Sequence, residues 1–197
     1  VTRVVNDQGD PLTVQVELAG RTVQCRIWEV RVGRVPVYLL DTNLEVNSPA
    51  DRSLTARLYS SNPDLRISQE IVLGIGGVRA LRALGYKPAI WHLNEGHAAF
   101  LVLECLREKM QEGLSFEQAV QHVRQSTVFT THTPVPAGND EFPLWLVDKY
   151  LASWWPQLGL SRDQFIDLAR HQVAWGEAFS MPALALRLSE HRNAVSE

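Results

Sequence analysis

The sequence predicts an α/β protein: a parallel sheet with helices, decorated at its start by an antiparallel ribbon. Three observations predict it. The opening stretch alternates apolar and polar residues with the period of strands, short apolar runs then alternate with segments of helical period, and polar residues crowd the ends of two of those runs. The 197 residues are 45% hydrophobic and 21% charged, enough for a sizeable core without disulfide or metal. A net charge of −3 with no basic run offers nothing to a phosphate backbone or an anionic membrane. Nucleic acid and membrane are therefore not expected as partners. The first residues lack the apolar core of a signal peptide, and no apolar run approaches the length of a membrane span.

Val14, Val16 and Leu18 alternate with Thr13, Gln15 and Glu17, and Ala19-Gly20-Arg21 turns the chain. Val23, Cys25 and Ile27 continue on odd positions but Trp28, Val30 and Val32 on even ones, a phase change that predicts a β-bulge near Ile27. The unbroken run Val35-Pro36-Val37-Tyr38-Leu39-Leu40 reads as a strand covered on both faces, and Thr42 to Ser61 as a long loop. The ribbon, residues 1–34, is expected as an appendage to the α/β piece, residues 35–197.

Ile67, Ile71, Ile75, Val78 and Leu81 recur at helical spacing, with Gly85 and Pro88 as stop signals. Gly74, Gly76 and Gly77 within this helix predict a close approach of another backbone. Ala89 to Leu93 is a short buried strand, Asn94-Glu95-Gly96-His97 a junction, and the helix that follows carries Phe100, Leu101, Leu103, Leu106 and Met110 as far as Gly113. Ser115-Phe116-Glu117-Gln118 opens a further helix with a capping box. Thr127 to Thr131 is a strand that runs into a Pro-rich and Gly-bearing loop, His132 to Asp140. The remainder reads as helical, with a second capping box at Ser161-Arg162-Asp163-Gln164 and a last helix near Pro182. Trp145, Trp154, Trp155 and Trp175 read as helix core. Cys25 and Cys105 lie in apolar patterns as reduced, buried thiols, which points to the cytoplasm.

In open α/β sheets ligands bind beyond the carboxyl ends of the strands. One such end carries His92, Asn94, Glu95 and His97; the other carries Thr130, Thr131, His132 and Thr133, followed by Asn139 and Asp140. If the two strands are neighbours, these groups share a crevice. Carboxylates, amides and imidazoles in fixed orientation suit the hydroxyls of a sugar, each of which is donor and acceptor. His92, His97, His132 and Asp140 also have the donor types of a zinc site, but no HExxH or paired-Cys spacing accompanies them. A metal hydrolase is therefore the weaker reading, and no metal site is assigned. Each residue also has a bland alternative. His92 within a strand suits a hydrogen-bonded core residue, Glu95 a helix dipole, and His132 a loop.

Three long motifs then carry a resemblance. They are Arg66-Ile67-Ser68-Gln69-Glu70-Ile71-Val72-Leu73-Gly74-Ile75-Gly76-Gly77, Trp91-His92-Leu93-Asn94-Glu95-Gly96-His97-Ala98-Ala99-Phe100, and Thr127-Val128-Phe129-Thr130-Thr131-His132-Thr133-Pro134-Val135-Pro136-Ala137-Gly138. Together they resemble the α-glucan (glycogen or maltodextrin) phosphorylase family, closest to its bacterial and archaeal branch. The resemblance implies a B-type glycosyltransferase fold, with this chain as part of its Rossmann-like N-terminal domain. It implies transfer of the terminal glucose of an α-1,4-glucan to orthophosphate, giving glucose 1-phosphate, with pyridoxal phosphate as cofactor. It makes His132 the histidine that hydrogen-bonds the glucosyl unit. Glu95, His97 and Asp140 line the pocket beside that glucose, and Asn62 falls in the active-site gate. Asn139 stands where this branch has His, and Ser60-Ser61-Asn62 replaces the more usual Gly-Gly-Asp.

The cofactor lysine and the phosphate-binding cluster belong to family segments outside these residues. An opening Val and the absence of a tail fit a piece cut from a longer protein. The piece alone is expected to be inactive, with the remainder of its own polypeptide as a partner and a homodimer as a further expectation. The alternative is a glucan-binding relative without phosphorolysis.

Overall fold

The computed structural model describes residues 1–58, 61–132 and 139–195. The chain divides into two compact units, Val1–Lys87 and Pro88–Glu197. Among the described residues no helix is long and apolar enough to cross a membrane.

The first unit is an antiparallel sheet backed by helix. Its strands are β1 (Thr2–Arg3), β2 (Thr13–Leu18), β3 (Arg21–Val32) and β4 (Val35–Asp41). β3 is the central strand, bonded to β2, β1 and β4. Ala19 and Gly20, both at positive φ (49° and 78°), close the two-residue β2–β3 turn, the backbone that suits the right-handed twist of a hairpin. The inward residues Val16, Leu18, Val23, Cys25 and Ile27 are fully buried.

The bulge expected near Ile27 does not form. Registers run without a slip from Thr13↔Arg26 to Leu18↔Arg21, and from Arg26↔Asp41 to Val32↔Val35. The phase change instead marks a change of face. Beyond Ile27 the apolar residues Trp28, Val30 and Val32 lie opposite Leu39, Val37 and Val35 on the outer side of the ribbon. Trp28 donates its Nε1–H to Asp41 Oδ2 (3.0 Å), and the guanidinium groups of Arg3 and Arg26 stand 5.5 and 5.7 Å from its ring centroid. For the same reason β4 is not covered on both faces: Val35, Val37 and Leu39 are exposed.

The segment after β4 is not all loop. Ser48 caps a short helix, α1 (Pro49–Arg52), and Asn47 is pinned by its amide to Gln24 and Thr42. Asp51 accepts a forked pair of bonds from Arg21 (3.0 and 2.7 Å) and one from the Ser48 hydroxyl (2.6 Å). The Arg21 guanidinium holds the Asp51 carboxyl below the usual carboxylate range.

The helical period from Ile67 to Leu81 becomes α2 (Pro63–Ile71), a π-helical turn over Val72–Gly76, and α3 (Gly77–Ala83). The close approach of another backbone expected at the glycines is not what is found: Gly77 has open space, and Gly76 is crowded by side chains. A Cβ on Gly76 would stand 3.2 Å from Val16 and 3.3 Å from Leu40, so the missing side chain seats the helix on the sheet. Gly85, at φ 82°, ends α3 in the left-handed conformation.

The second unit begins with β5 (Trp91–Asn94), a 3₁₀ turn over Gly96–Ala98, α4 (Leu101–Gln111), α5 (Phe116–Gln125) and β6 (Thr127–Thr131). The capping box at Ser115 forms with both of its bonds, as does the one at Ser161. β5 and β6 pair in parallel, so the two polar strand ends are neighbours.

The expectation that the remainder is helical is corrected. Helices α6 (Leu144–Leu151), α7 (Trp154–Gln157), α8 (Arg162–Asp167) and α9 (Met181–Arg187) alternate with β7 (Glu141–Pro143), β8 (Arg170–Val173), β9 (Gly176–Ser180) and β10 (His191–Ala194). β7, β9 and β8 form an antiparallel sheet. These strands are too short for a period-two pattern to stand out, and the β8–β9 hairpin is marked only by Gly176, at φ 126°. Its tip carries Trp175, which is exposed, as is Trp145; Trp154 alone among the four tryptophans expected in the core is fully buried.

β10 adds in parallel to β6, giving the sheet order β10-β6-β5. Leu93 and Phe129 are buried on one side of this sheet. Phe100, Phe179 and Phe165 stack in succession, with ring centroids 6.2 and 5.8 Å apart. The fold is thus mixed α/β, with one parallel and two antiparallel sheets.

Candidate functional site

The polar residues gather where β5 and β6 end. After Asn94 the chain must leave the sheet at once, because Gly96 lies so close to α9 that a Cβ would stand 3.1 Å from the Pro182 nitrogen and 3.2 Å from Met181 Cβ. The residue between them, Glu95, absorbs the bend at φ 65° and ψ −178°. That region is populated almost only by glycine and costs about 1–3 kcal/mol for other residues. Glu95 is held there by its own two ends. Its backbone N–H donates to the Thr130 carbonyl (2.9 Å), and its carboxylate accepts from the His132 N–H and from the Thr131 hydroxyl (3.3 Å).

Glu95 is buried, so its carboxylate is anchored rather than solvated. Its side chain makes no cap bond to the turn that follows. Glu95 instead ties the end of β5 to the end of β6. His132 itself is exposed, its backbone fixed by Glu95 and its imidazole turned out of the packed interior.

His97 lies on the 3₁₀ turn, where Nδ1 meets Asp140 Oδ2 at 3.0 Å. The carboxylate thereby orients the ring. Asp140 is placed by the start of β7, its carbonyl accepting from the Met181 N–H (3.0 Å). His92 is exposed, and its Nε2 meets Thr130 Oγ1 at 2.7 Å.

Of the residues singled out from sequence, Glu95, His97, His132 and Asp140 thus lie in the second unit, in two bonded pairs. Asn62 lies in the first unit, where its side chain caps α2 by accepting from the Asp64 and Leu65 N–H groups (2.9 and 3.3 Å). Ser60, beside Asn62 in the expected gate, and residues 133–138 of the loop after His132 lie outside the described residues.

Sequence reading did not single out Asn193, whose Oδ1 accepts from the Thr130 hydroxyl (2.6 Å). Nor did it find a partner for His171, whose Nδ1 meets Glu141 Oε1 at 2.6 Å. Both contacts need the strand pairings of the later half, which no local pattern announces. Burial raises the Cys25 thiol to about 12, which removes it from nucleophilic chemistry at neutral pH.

Fold and site define an α/β protein with a carboxylate and imidazole cluster at the carboxyl ends of parallel strands. The more particular assignment comes from its relatives. The chain is 48% identical over 194 residues to a maltodextrin phosphorylase of Thermococcus litoralis, covering 98% of this chain and 23% of that protein. It is 44% identical to a glycogen phosphorylase of Mycobacterium tuberculosis (98% of this chain, 24% of that protein). It is 33% identical to one of Aquifex aeolicus (100% and 28%). No protein-family model matches the chain. The chain is thus a relative of the archaeal and bacterial glycogen and maltodextrin phosphorylases, and it spans about a quarter of the length of these relatives.

Proposed function

We propose that the chain is part of an α-glucan phosphorylase and supplies the glucosyl-binding side of its cleft. The observation that carries this reading is the pairing of Glu95 with the His132 N–H beside the His97–Asp140 pair. These are the four residues that the family resemblance sets around the glucose, drawn together from separate stretches of sequence. The reaction breaks the bond between the terminal glucose C1 and the glucan oxygen and forms one between C1 and a phosphate oxygen, with configuration retained.

In this reading His132 hydrogen-bonds a glucosyl hydroxyl, and Glu95 keeps that imidazole at a fixed height above the sheet. His97, oriented by Asp140, lines the pocket beside the same glucose. A sugar bound between such pre-set groups meets them without reorganisation, which is how orientation lowers a barrier. Asn62 is proposed as part of the gate, and the fold as the Rossmann-like portion of a B-type glycosyltransferase. The domain division at residues 34 and 35 and a cytoplasmic location are further elements of this proposal. The location accords with two cysteines that form no disulfide.

Pyridoxal phosphate, which such a phosphorylase needs, does not fit the residues present. It is held as a Schiff base on lysine. Of the chain's lysines, Lys109 pairs with Glu112 at the end of α4, Lys149 lies over the Tyr150 ring, and Lys87 closes the first unit. The cluster itself offers carboxylate, imidazole and hydroxyl, a set for sugar hydroxyls, so this chain is given no part in holding the cofactor.

The test is glucose 1-phosphate formation by the uncut polypeptide with maltoheptaose, orthophosphate and pyridoxal phosphate, with the 197-residue piece assayed alongside. Product from the uncut protein alone is expected. Product from neither, with maltoheptaose still bound, would replace phosphorolysis by glucan binding. In the uncut protein His132→Ala should lower turnover with the fold intact, and unchanged turnover would remove His132 from the site.

A further inference from the structure

We infer that Thr130, bridged between His92 and Asn193, is a positioning residue that sets the height of His132. Each of the three parallel strands contributes one side chain to this line: His92 from β5, Thr130 from β6 and Asn193 from β10. A threonine hydroxyl has a single proton, and here it goes to Asn193 Oδ1 at 2.6 Å. Thr130 Oγ1 must then accept at 2.7 Å from His92, which makes Nε2 the protonated nitrogen of that ring. The hydroxyl is engaged from both sides, and Thr130 is buried.

What this line holds in place is the backbone of Thr130, and three bonds of the candidate site start from there. The Thr130 carbonyl receives the Glu95 N–H at 2.9 Å. Thr131, the next residue, donates to the Glu95 carboxylate, and His132, the one after, donates its N–H to the same group. The Val195 N–H in turn donates to the Thr131 carbonyl at 3.2 Å, so β10 grips β6 on either side of the same peptide. Glu95 occupies a glycine-only backbone region and would relax if its neighbours released it. The line across the strands is the restraint on the far side of that strained residue. His92 and Asn193 thereby act on the site without belonging to it.

The catalytic half of this inference rests on the phosphorylase reading; the positional half does not. The experiment uses the uncut polypeptide with Thr130→Val, which keeps the shape and removes both bonds, Thr130→Ser, which keeps the hydroxyl, and Asn193→Ala at an exposed position. Hydrogen exchange resolved at the His132 amide should quicken by about fivefold or more in Asn193→Ala, which loses one hydrogen bond, and by more in Thr130→Val, which loses two. Amides of Leu103 and Phe165 should keep their wild-type rates, and Thr130→Ser should restore His132. In the glucose 1-phosphate assay kcat should fall about tenfold or more with KM for maltoheptaose within about twofold, the mark of lost orientation. Unchanged exchange at His132, a uniform rise at every amide, or failure of Thr130→Ser to rescue would overturn the inference. Absence of glucose 1-phosphate from the wild type would overturn the phosphorylase reading, and the exchange rates would still decide whether Thr130 positions His132.

Discussion

At Glu95 the usual ranking of alanine over glycine should invert. Replacing glycine by alanine ordinarily stabilises a protein by about 0.4–1 kcal/mol, because the unfolded chain has fewer states to lose. At φ 65° and ψ −178° the native backbone instead carries about 1–3 kcal/mol of strain for any residue with a Cβ. Glu95→Gly and Glu95→Ala lose the same carboxylate and the same bonds to Thr131 and His132, so that loss cancels between them. Taking mid-range values, about 2 kcal/mol of relieved strain less about 0.7 kcal/mol of entropy leaves the glycine variant more stable by about 1.3 kcal/mol. For a chain of this size that is a melting temperature higher by about 3–5 °C. Urea titration followed by tryptophan fluorescence suits the comparison, because Trp91, Trp145, Trp154, Trp155 and Trp175 all lie in the unit that contains Glu95, leaving only Trp28 in the other. An alanine variant as stable as the glycine variant, or more so, would refute the claim that Glu95 is strained.

Gly96→Ala should destabilise the same unit by about 1–3 kcal/mol, since its Cβ would meet backbone at Pro182; a denaturation midpoint at or above wild type would count against that packing. The Asp51 carboxyl is held below its unfolded value by Arg21, so its contribution is complete above about pH 4 and is lost as pH falls through the lower, folded value. Stability measured between about pH 5 and pH 2 should therefore fall more steeply in the wild type than in Asp51→Asn, and parallel profiles would deny Asp51 this role. Cys25, raised to about 12 by burial, should resist iodoacetamide at pH 8 in the folded protein and react at once in urea, as followed by mass spectrometry.

The framework of the site was legible in the sequence because its signals are local. Ser115 and Gln118 announce a helix start within four residues, and the caps form as read. The polar run after Leu93 and the one after Phe129 each mark a strand end, and parallel pairing of those strands brings them together. What was not legible depends on contacts remote in sequence. The bend at Glu95 has no signature in residue type, since glutamate is a poor choice for that backbone and is held there by Thr130, Thr131 and His132. Asn193 gains its meaning from β10, a four-residue strand whose side chains are all exposed and which therefore shows no apolar alternation. The outer face of the ribbon misled the reading for a related reason: Trp28 and Val30 look like core by type, yet their register partners Leu39 and Val37 are exposed.

The order in which the parallel sheet is assembled has a consequence for synthesis. Asn193 meets Thr130 across 63 residues of sequence, whereas His92 meets it across 38. On the ribosome β5 and β6 therefore emerge and can pair well before β10 leaves the exit tunnel, and the hydroxyl of Thr130 waits for its acceptor while α6 to α9 are made. Closing long loops late slows folding, since their entropy is lost before the contacts repay it. The restraint on the cluster around His132 is consequently among the last parts of its unit to form, and a nascent chain halted before residue 191 would carry the strand ends without the strand that steadies them.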